Sequence, residues 1–217
     1  NFVIYEIETE EFNQMSYLEK LQHVDSMINE AIKNLDGNCP LVILVGPAGS
    51  GKSTLINVLL GVDFTFEQDG FGVFNLVPNE EKGPFLKAKN GTEAVTSFPI
   101  LVHDKTDNVI YCDCPGFFDS RGTEAEIVNS YALYRIIKKA KKSHPISIIN
   151  TLSVSDIQGA RGNAFRYANT TFEHMFSTEE LEHIFFSVIT HFDPQKHSLD
   201  RILNSLNGTS KLSAMLN

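Results

Sequence analysis

The apolar residues between positions 16 and 35 recur at steps of three and four, which is the spacing of an amphipathic helix. Ser16 and Glu19 have the pattern of a capping box at the start of this helix, and Gly37 marks its end. The run LVILV at 41–45 is different, because every position in it is apolar. Such a run indicates a strand that is buried on both faces of a parallel sheet.

Beyond residue 45 the pattern predicts strands that alternate with helices. Helical spacing predicts helices over 53–60, 124–142, 162–176 and 198–206, with a short helix at 178–181. Short apolar runs predict strands over 97–103, 108–113, 145–154 and 184–192. Residues 62–95 are rich in glycine, asparagine and charge, and we expect a long loop with fragments of structure there.

This alternation is typical of an α/β fold with a mostly parallel sheet and helices on both faces. We expect the amphipathic helix to belong to an N-terminal helical extension over 1–38. The extension is predicted to pack on a larger domain over 39–217.

The charge and composition exclude some functions. The chain has 217 residues, of which 42% are hydrophobic and 21% charged, as in a soluble globular protein. A net charge of −9 argues against a broad nucleic-acid-binding surface, which needs a basic face. The basic run KKAKKSH at 138–144 suits the end of a helix, although contact with an anionic partner or a membrane is an alternative.

The cysteines and the chain start bear on the cellular compartment. Cys39, Cys112 and Cys114 leave an odd thiol and show no zinc-type spacing, so we expect packing residues in a reducing, cytoplasmic environment. No apolar run is long enough to span a bilayer, and membrane association is not evident. Because the chain starts with Asn1 and not with methionine, we expect it to be a piece of a longer protein.

The stretch GPAGSGKS at 46–53 satisfies the phosphate-loop pattern G-x-x-x-x-G-K-[ST] between a buried strand and a helix. Its glycines let backbone N–H groups point at phosphate oxygens, and the start of the following helix adds partial positive charge. Lys52 is expected to reach the β- and γ-phosphates, and the Ser53 hydroxyl to ligate Mg²⁺. The residues predicted to contact the phosphates are Gly46, Pro47, Ala48, Gly49, Ser50, Gly51, Lys52, Ser53 and Thr54. This pattern predicts a three-layer P-loop NTPase sandwich.

The second motif is DCPG at 113–116, at the end of a predicted strand. P-loop proteins supply the carboxylate that holds Mg²⁺ from this place, and Asp113 fits it. Gly116 can bring its N–H to the γ-phosphate. ATPases typically place an acidic residue after the strand aspartate, whereas Cys114 follows here, so the motif resembles the γ-phosphate-sensing box of GTPases. The alternative is an aspartate that only caps a turn.

The third motif is THFD at 190–193, which resembles the N/T-K-x-D box that binds guanine in GTPases. In that arrangement Asp193 would accept hydrogen bonds from the guanine N1–H and amino group, which adenine cannot donate. Thr190 stands for the asparagine of the box and His191 for its lysine. Alternatively, Asp193 caps a following helix that has Pro194 at its first position.

The three motifs in this order resemble the TRAFAC-type GTPases, most closely the septin-like, paraseptin branch with the immunity-associated GIMAP proteins and the Toc import receptors. The resemblance covers roughly residues 40–193, and the interferon-inducible GTPases form a neighbouring branch that stays open. It implies GTP or GDP with Mg²⁺ as ligands, and a G domain over 39–217 that lacks its last strand or has a diverged one. It also implies a threonine that closes over Mg²⁺ and the γ-phosphate: the stretch GTEAVTSFP offers Thr92 and Thr96, and Thr96 is preferred because it directly precedes the predicted strand.

One departure from this resemblance bears on the mechanism. Phe117 occupies the place of the glutamine that orients the attacking water in Ras-like hydrolases, and its ring cannot hydrogen-bond a water. The resemblance then implies slow hydrolysis alone, with activation by a homodimer across the nucleotide face or by another partner. Arg121 is the candidate for a charge-stabilising arginine, the alternative being an ordinary surface residue. A GTP-dependent scaffold without turnover and an ATP-using enzyme are the other function classes.

Overall fold

A computed structural model describes residues 1–6, 10–33, 38–68, 74–79, 84–87, 96, 98–117, 122–159 and 163–191. The strands are β1 (Phe2–Glu6), β2 (Leu41–Val45), β3 (Phe64–Gln68), β4 (Phe74–Pro78), β5 (Ile100–Asp104), β6 (Val109–Asp113), β7 (Ile146–Ser153) and β8 (Phe185–Thr190). The helices are α1 (Glu10–Gln14), α2 (Tyr17–Lys33), α3 (Lys52–Leu59), α4 (Thr123–Ala140), α5 (Val154–Gly159), α6 (Asn163–Glu173) and α7 (Thr178–Ile184). None of the described helices is both long and apolar enough to cross a membrane.

Six strands form one sheet in the order β1-β5-β6-β2-β7-β8. The central strand β2 pairs in parallel with β6 and β7, and β7 pairs in parallel with β8. At the other edge, β5 is antiparallel to β6 and β1 is antiparallel to β5. The carboxyl ends of the parallel strands therefore meet at one edge of the sheet, the edge where open α/β sheets bind their ligands.

Helices cover both faces of the sheet, as the sequence predicts. Alternate residues of each strand point to opposite faces, so that Ile43 of β2 joins a core with α2, α4 and α6, while the next residue, Leu44, packs with Ile56 of α3. Ile43, Leu44 and Ile56 are fully buried. The result is a three-layer α/β sandwich, and the continuous apolar run LVILV reflects burial on both faces.

Capping boxes define several helix starts. Before α2, the Ser16 N–H donates to a Glu19 carboxylate oxygen at 2.8 Å, and the Glu19 N–H donates to Ser16 Oγ at 3.4 Å. Before α7, Ser177 and Glu180 exchange the same pair of bonds, at 2.7 and 3.2 Å. Both boxes satisfy N–H groups that a helix start otherwise leaves unpaired.

Several elements were not predicted. The run FVIYE forms β1, whose antiparallel partner β5 is distant in sequence. Within 62–95, the expected fragments of structure include an antiparallel hairpin of β3 and β4. After β7, Asp156 accepts hydrogen bonds from the N–H and hydroxyl of Ser153, and this local bonding starts helix α5 where no element was expected.

The strand predicted over 184–192 is shorter, because α7 extends to Ile184. The closing helix predicted at 198–206 and the end signal at Gly37 lie outside the described residues.

Candidate phosphate- and metal-binding site

The phosphate loop lies between the end of β2 and the start of α3, as the motif requires. Gly46, Gly49 and Gly51 all have positive φ angles, of 145°, 74° and 88°. A Cβ on Gly46 would lie 2.2 Å from the Thr151 carbonyl oxygen, so only glycine fits there. Gly51 is the N-cap of α3 and supplies no side-chain cap, which leaves the helix start to an incoming anion.

Lys52 is folded back across the phosphate loop. Its ammonium donates to the carbonyl oxygens of Gly46 at 3.1 Å and Pro47 at 2.8 Å, and only 7% of the residue is exposed. A buried lysine requires partners for its charge. The geometry therefore places a cation at the centre of the loop, where the sequence predicts the β- and γ-phosphates.

Three hydroxyl groups, one in the loop and two on the neighbouring strands β7 and β8, connect the loop to the sheet. Ser50 Oγ hydrogen-bonds Thr151 Oγ1 at 2.7 Å, and Thr151 Oγ1 also donates to the Val45 carbonyl oxygen at 3.2 Å. Thr190, the first residue of THFD, donates from Oγ1 to the Ser50 carbonyl oxygen at 2.8 Å. The third motif thus contacts the first. Thr151 was not predicted, although the polar run NTLS at the end of an apolar strand was a signal for it.

The predicted metal ligands converge on Asp113, at the end of β6. Ser53 Oγ donates to Asp113 Oδ2 at 2.7 Å, and Thr96 Oγ1 donates to the same oxygen at 3.1 Å. Asp113 is 1% exposed, and its Oδ1 has no hydrogen-bond partner among the described residues. Hydroxyl and carboxylate oxygens are the ligands that Mg²⁺ prefers, and the orphaned oxygen adds to that fit. These three residues, which we call the Asp113 cluster, therefore fit Mg²⁺.

The electrostatics of Asp113 fit a residue that binds a cation. Burial raises the pKa of the carboxyl above its usual value, while the Ser53 hydroxyl, the Lys52 charge and the Thr96 hydroxyl lower it. Burial is the largest of these effects, so the local groups alone do not offset the cost of burying the carboxylate.

Within the described part of the chain, no three His, Cys, Asp or Glu residues form another metal site.

Residues 114–117 run directly over the phosphate loop, and we call them the switch segment. The Cys114 N–H donates to the Leu44 carbonyl oxygen at 3.2 Å, and the Phe117 N–H donates to the Gly46 carbonyl oxygen at 3.0 Å. Gly116 lies so close that a Cβ on it would be 2.5 Å from Ala48 N and Cα. The predicted γ-phosphate-sensing glycine thus contacts the phosphate loop.

The THFD motif, which is predicted to bind guanine, is described only in part. His191 has a left-handed φ of 56° and is exposed, with Nδ1 at 3.2 Å from Thr190 Oγ1. Asp193 and Arg121 lie outside the described residues, so their predicted roles stay predictions.

Comparisons with known proteins identify a similar GTPase sequence. No protein-family model matches the chain. Over 98 residues, or 44% of this chain, the sequence is 34% identical to interferon-inducible GTPase 1 of Mus musculus, of which the match spans 19%. The crystal structure of S. thermophilus NFeoB bound to GDP·AlF4⁻ is similar over 78% of this chain and 62% of that chain, with 13% identity and a TM-score of 0.32. The curated relative comes from the interferon-inducible branch, and neither comparison tests the septin-like branch.

A substitution at Asp113 tests the metal assignment. In Asp113→Asn, we expect the Mg²⁺-dependent gain in nucleotide affinity to disappear, because a neutral amide is a poor ligand for a hard divalent cation. Titration of labelled nucleotide with Mg²⁺ and with a chelator measures this gain. Without nucleotide, the variant should be no less stable than the wild type in chemical denaturation, because a neutral side chain costs less to bury. An unchanged Mg²⁺ gain would contradict the assignment.

Proposed function

We propose that this chain is a guanine-nucleotide-binding domain that binds GTP and GDP with Mg²⁺ and hydrolyses GTP slowly. The observation that carries the proposal is the convergence of Lys52, the Asp113 cluster and Gly116 on one phosphate loop. The short stretch of 34% identity with an interferon-inducible GTPase supports the same class. The proposed state change is an ordering of Thr96 and Gly116 by the γ-phosphate.

The residues of the chain would divide the work as follows. Lys52 would exchange the Gly46 and Pro47 carbonyl oxygens for β- and γ-phosphate oxygens, which are stronger partners because they are charged. The loop N–H groups and the start of α3 would bind the remaining phosphate charge. Ser53, Thr96 and Asp113 would hold Mg²⁺, which supplies charge neutralisation at the phosphates when bound. At the place where Ras-like hydrolases have a water-orienting glutamine, the apolar Phe117 ring would offer no group to orient the attacking water.

Equilibrium binding decides the nucleotide class. We expect labelled GTP and GDP to bind much more tightly than ATP and ADP, because the Asp193 carboxylate would accept hydrogen bonds from the guanine N1–H and amino group, which adenine cannot donate. Tighter binding of ATP would support the ATP-using alternative and would contradict the assignment of THFD as a guanine box.

A substitution at Asp193 isolates base recognition. Asp193→Asn is expected to weaken GTP binding and to favour xanthosine triphosphate, since an amide can donate to the extra carbonyl of xanthine. Competition of both nucleotides against one labelled probe measures the change in preference. Ser187→Ala, at an exposed position of β8 that is assigned no role in the site, serves as a comparison for general disturbance of the strand. If GTP affinity stays the same in Asp193→Asn, the residue only caps a helix.

A second candidate function is a GTP-dependent scaffold with negligible hydrolysis. It is favoured by Phe117, whose ring packs edge-on against Tyr167 with centroids 4.9 Å apart and leaves no hydrogen-bonding group at that place. Turnover measured across protein concentrations separates the candidates. A rate per molecule that rises with concentration supports a GTPase activated by a homodimer, in which Arg121 is the first arginine to replace. No turnover at any concentration supports the scaffold.

The setting of the activity is also proposed. The thiols of Cys39, Cys112 and Cys114 are buried and form no disulfide, which is consistent with packing thiols in a reducing, cytoplasmic compartment. Guanine nucleotide and a second copy of the chain are the proposed partners, with no nucleic acid. The division into an extension over 1–38 and a G domain over 39–217 stays a prediction. Strand β1 of the predicted extension pairs with β5 of the predicted G domain, so the two parts share one sheet.

A further inference from the structure

We propose that Tyr167 is a positioning residue for the switch segment: by holding the Phe117 ring, it keeps Gly116 at the phosphate loop, where a third phosphate would be bound. Tyr167 lies on α6, outside all three motifs, and nothing in the sequence pattern points to it. The inference rests on the proposed guanine-nucleotide function and adds a determinant of triphosphate preference to it.

The first contact is between two rings. Phe117 and Tyr167 meet edge to face, with ring centroids 4.9 Å apart and an interplanar angle of 63°. This is a favourable aromatic geometry, because the positive edge of one ring meets the negative face of the other. Tyr167 of α6 thus holds the Phe117 ring, which occupies the place of the water-orienting glutamine of Ras-like hydrolases.

The second contact fixes Tyr167 itself. Its hydroxyl donates to Glu126 Oε1 of α4 at 2.8 Å, so the tyrosine bridges α6 and α4. Burial, with Glu126 as a further cause, raises the pKa of the phenol to about 12, which keeps the hydroxyl protonated and able to donate. Ala168 and Phe172 on the same helix are fully buried, so α6 provides a rigid support.

The backbone transmits this position to the phosphate loop. The Phe117 N–H donates to the Gly46 carbonyl oxygen, and Gly116 touches the backbone of Ala48. Because only one peptide unit separates Gly116 from Phe117, a displaced Phe117 ring would also shift the Gly116 N–H. Tyr167 therefore acts on the phosphate site through Phe117 and does not touch the nucleotide.

The surroundings leave room for that displacement. A cavity of about 40 Å³ lies beside the rings, lined among others by Pro99, Leu133 and Thr171. It is far too small for a ligand of ordinary size, which needs several hundred Å³. Because Tyr167 lines this cavity, removal of its ring would enlarge the space beside Phe117 and give that ring room to move.

Nucleotide affinities of the full chain test the inference. In Tyr167→Ala, we expect the ratio of GTP to GDP affinity to fall about three- to tenfold, the range of one aromatic pair. Tyr167→Phe keeps the ring and loses only the bond to Glu126, so the ratio should fall less. Phe117→Ala should lower the ratio similarly, and the double variant should show little further loss, because both substitutions remove the same contact.

A matched control separates this effect from general loosening. Tyr134→Ala removes a tyrosine from the partly exposed side of α4, where its ring contacts Lys138, and should leave the ratio unchanged. If the wild type binds GTP but Tyr167→Ala leaves its ratio unchanged or raises it, the inference alone is wrong. If the wild type binds no guanine nucleotide, the proposed function fails and the inference fails with it. If Tyr167→Ala does not fold, Tyr167→Phe and Phe117→Ala still test the inference. An unchanged ratio of GTP to GDP affinity in both variants overturns it.

Discussion

Lys52→Ala is expected to weaken the binding of GTP and GDP by roughly 100-fold or more. The ammonium is the one cation that the described residues place inside the phosphate loop, where it now donates to two carbonyl oxygens. The substitution would remove the two charge-assisted hydrogen bonds to phosphate that we propose for it, each worth about 1.5–3 kcal/mol. Calorimetric or fluorescence titration with both nucleotides measures the loss.

The same substitution has a smaller effect on folding. Without nucleotide, the carbonyl oxygens of Gly46 and Pro47 lose their donor, which costs about 1 kcal/mol of stability because removal of the long side chain lets water reach them. Lys142→Ala is the matched control, because Lys142 is exposed at the end of α4 and far from the loop in the fold. A loss of nucleotide affinity below tenfold in Lys52→Ala, with the fold intact, would contradict the assigned role of the ammonium.

Gly46→Ala is expected to lower the free energy of unfolding by roughly 3–5 kcal/mol, through both strain and overpacking. The residue has a φ of 145°, and its new Cβ would lie 2.2 Å from the Thr151 carbonyl oxygen and 2.8 Å from Thr151 Oγ1. A carbonyl within a central strand cannot withdraw without breaking sheet hydrogen bonds. Chemical denaturation without nucleotide measures the change.

Gly61→Ala provides the comparison for this prediction. Gly61 also has a positive φ, of 70°, but nothing lies within 4 Å of the position where its Cβ would be. Its cost should therefore be the conformational strain alone, about 1–2 kcal/mol. Equal destabilisation by the two substitutions would show that crowding at Thr151 is not what requires glycine at position 46.

Features that depend on neighbouring residues were predictable from the sequence. The run LVILV gives its strand because all five side chains are apolar, and the phosphate loop follows from glycine and lysine at fixed offsets. Asp113 was predictable because it ends an apolar strand. In each case the residues that determine the structure lie within a few positions of one another.

Features that depend on distant residues were not predictable. FVIYE forms β1 only because it pairs with β5, and no local signal distinguishes it from a short buried segment. Thr151 of β7 hydrogen-bonds Ser50 in the phosphate loop, and the Tyr167 ring of α6 contacts the Phe117 ring. These contacts depend on how the layers are stacked, which periodicity and spacing do not specify.

The order of strands also has a consequence for synthesis on the ribosome. Phe2 pairs with Asp104, and Leu41 pairs with Ile110 and Ile146, so the six-stranded sheet cannot begin to form until residues beyond 100 have emerged. At ordinary translation rates the apolar run LVILV then waits for several seconds without its partner strands. Such an exposed segment is a natural substrate for chaperones that bind nascent chains, and the phosphate loop, which needs Thr151, is completed only late.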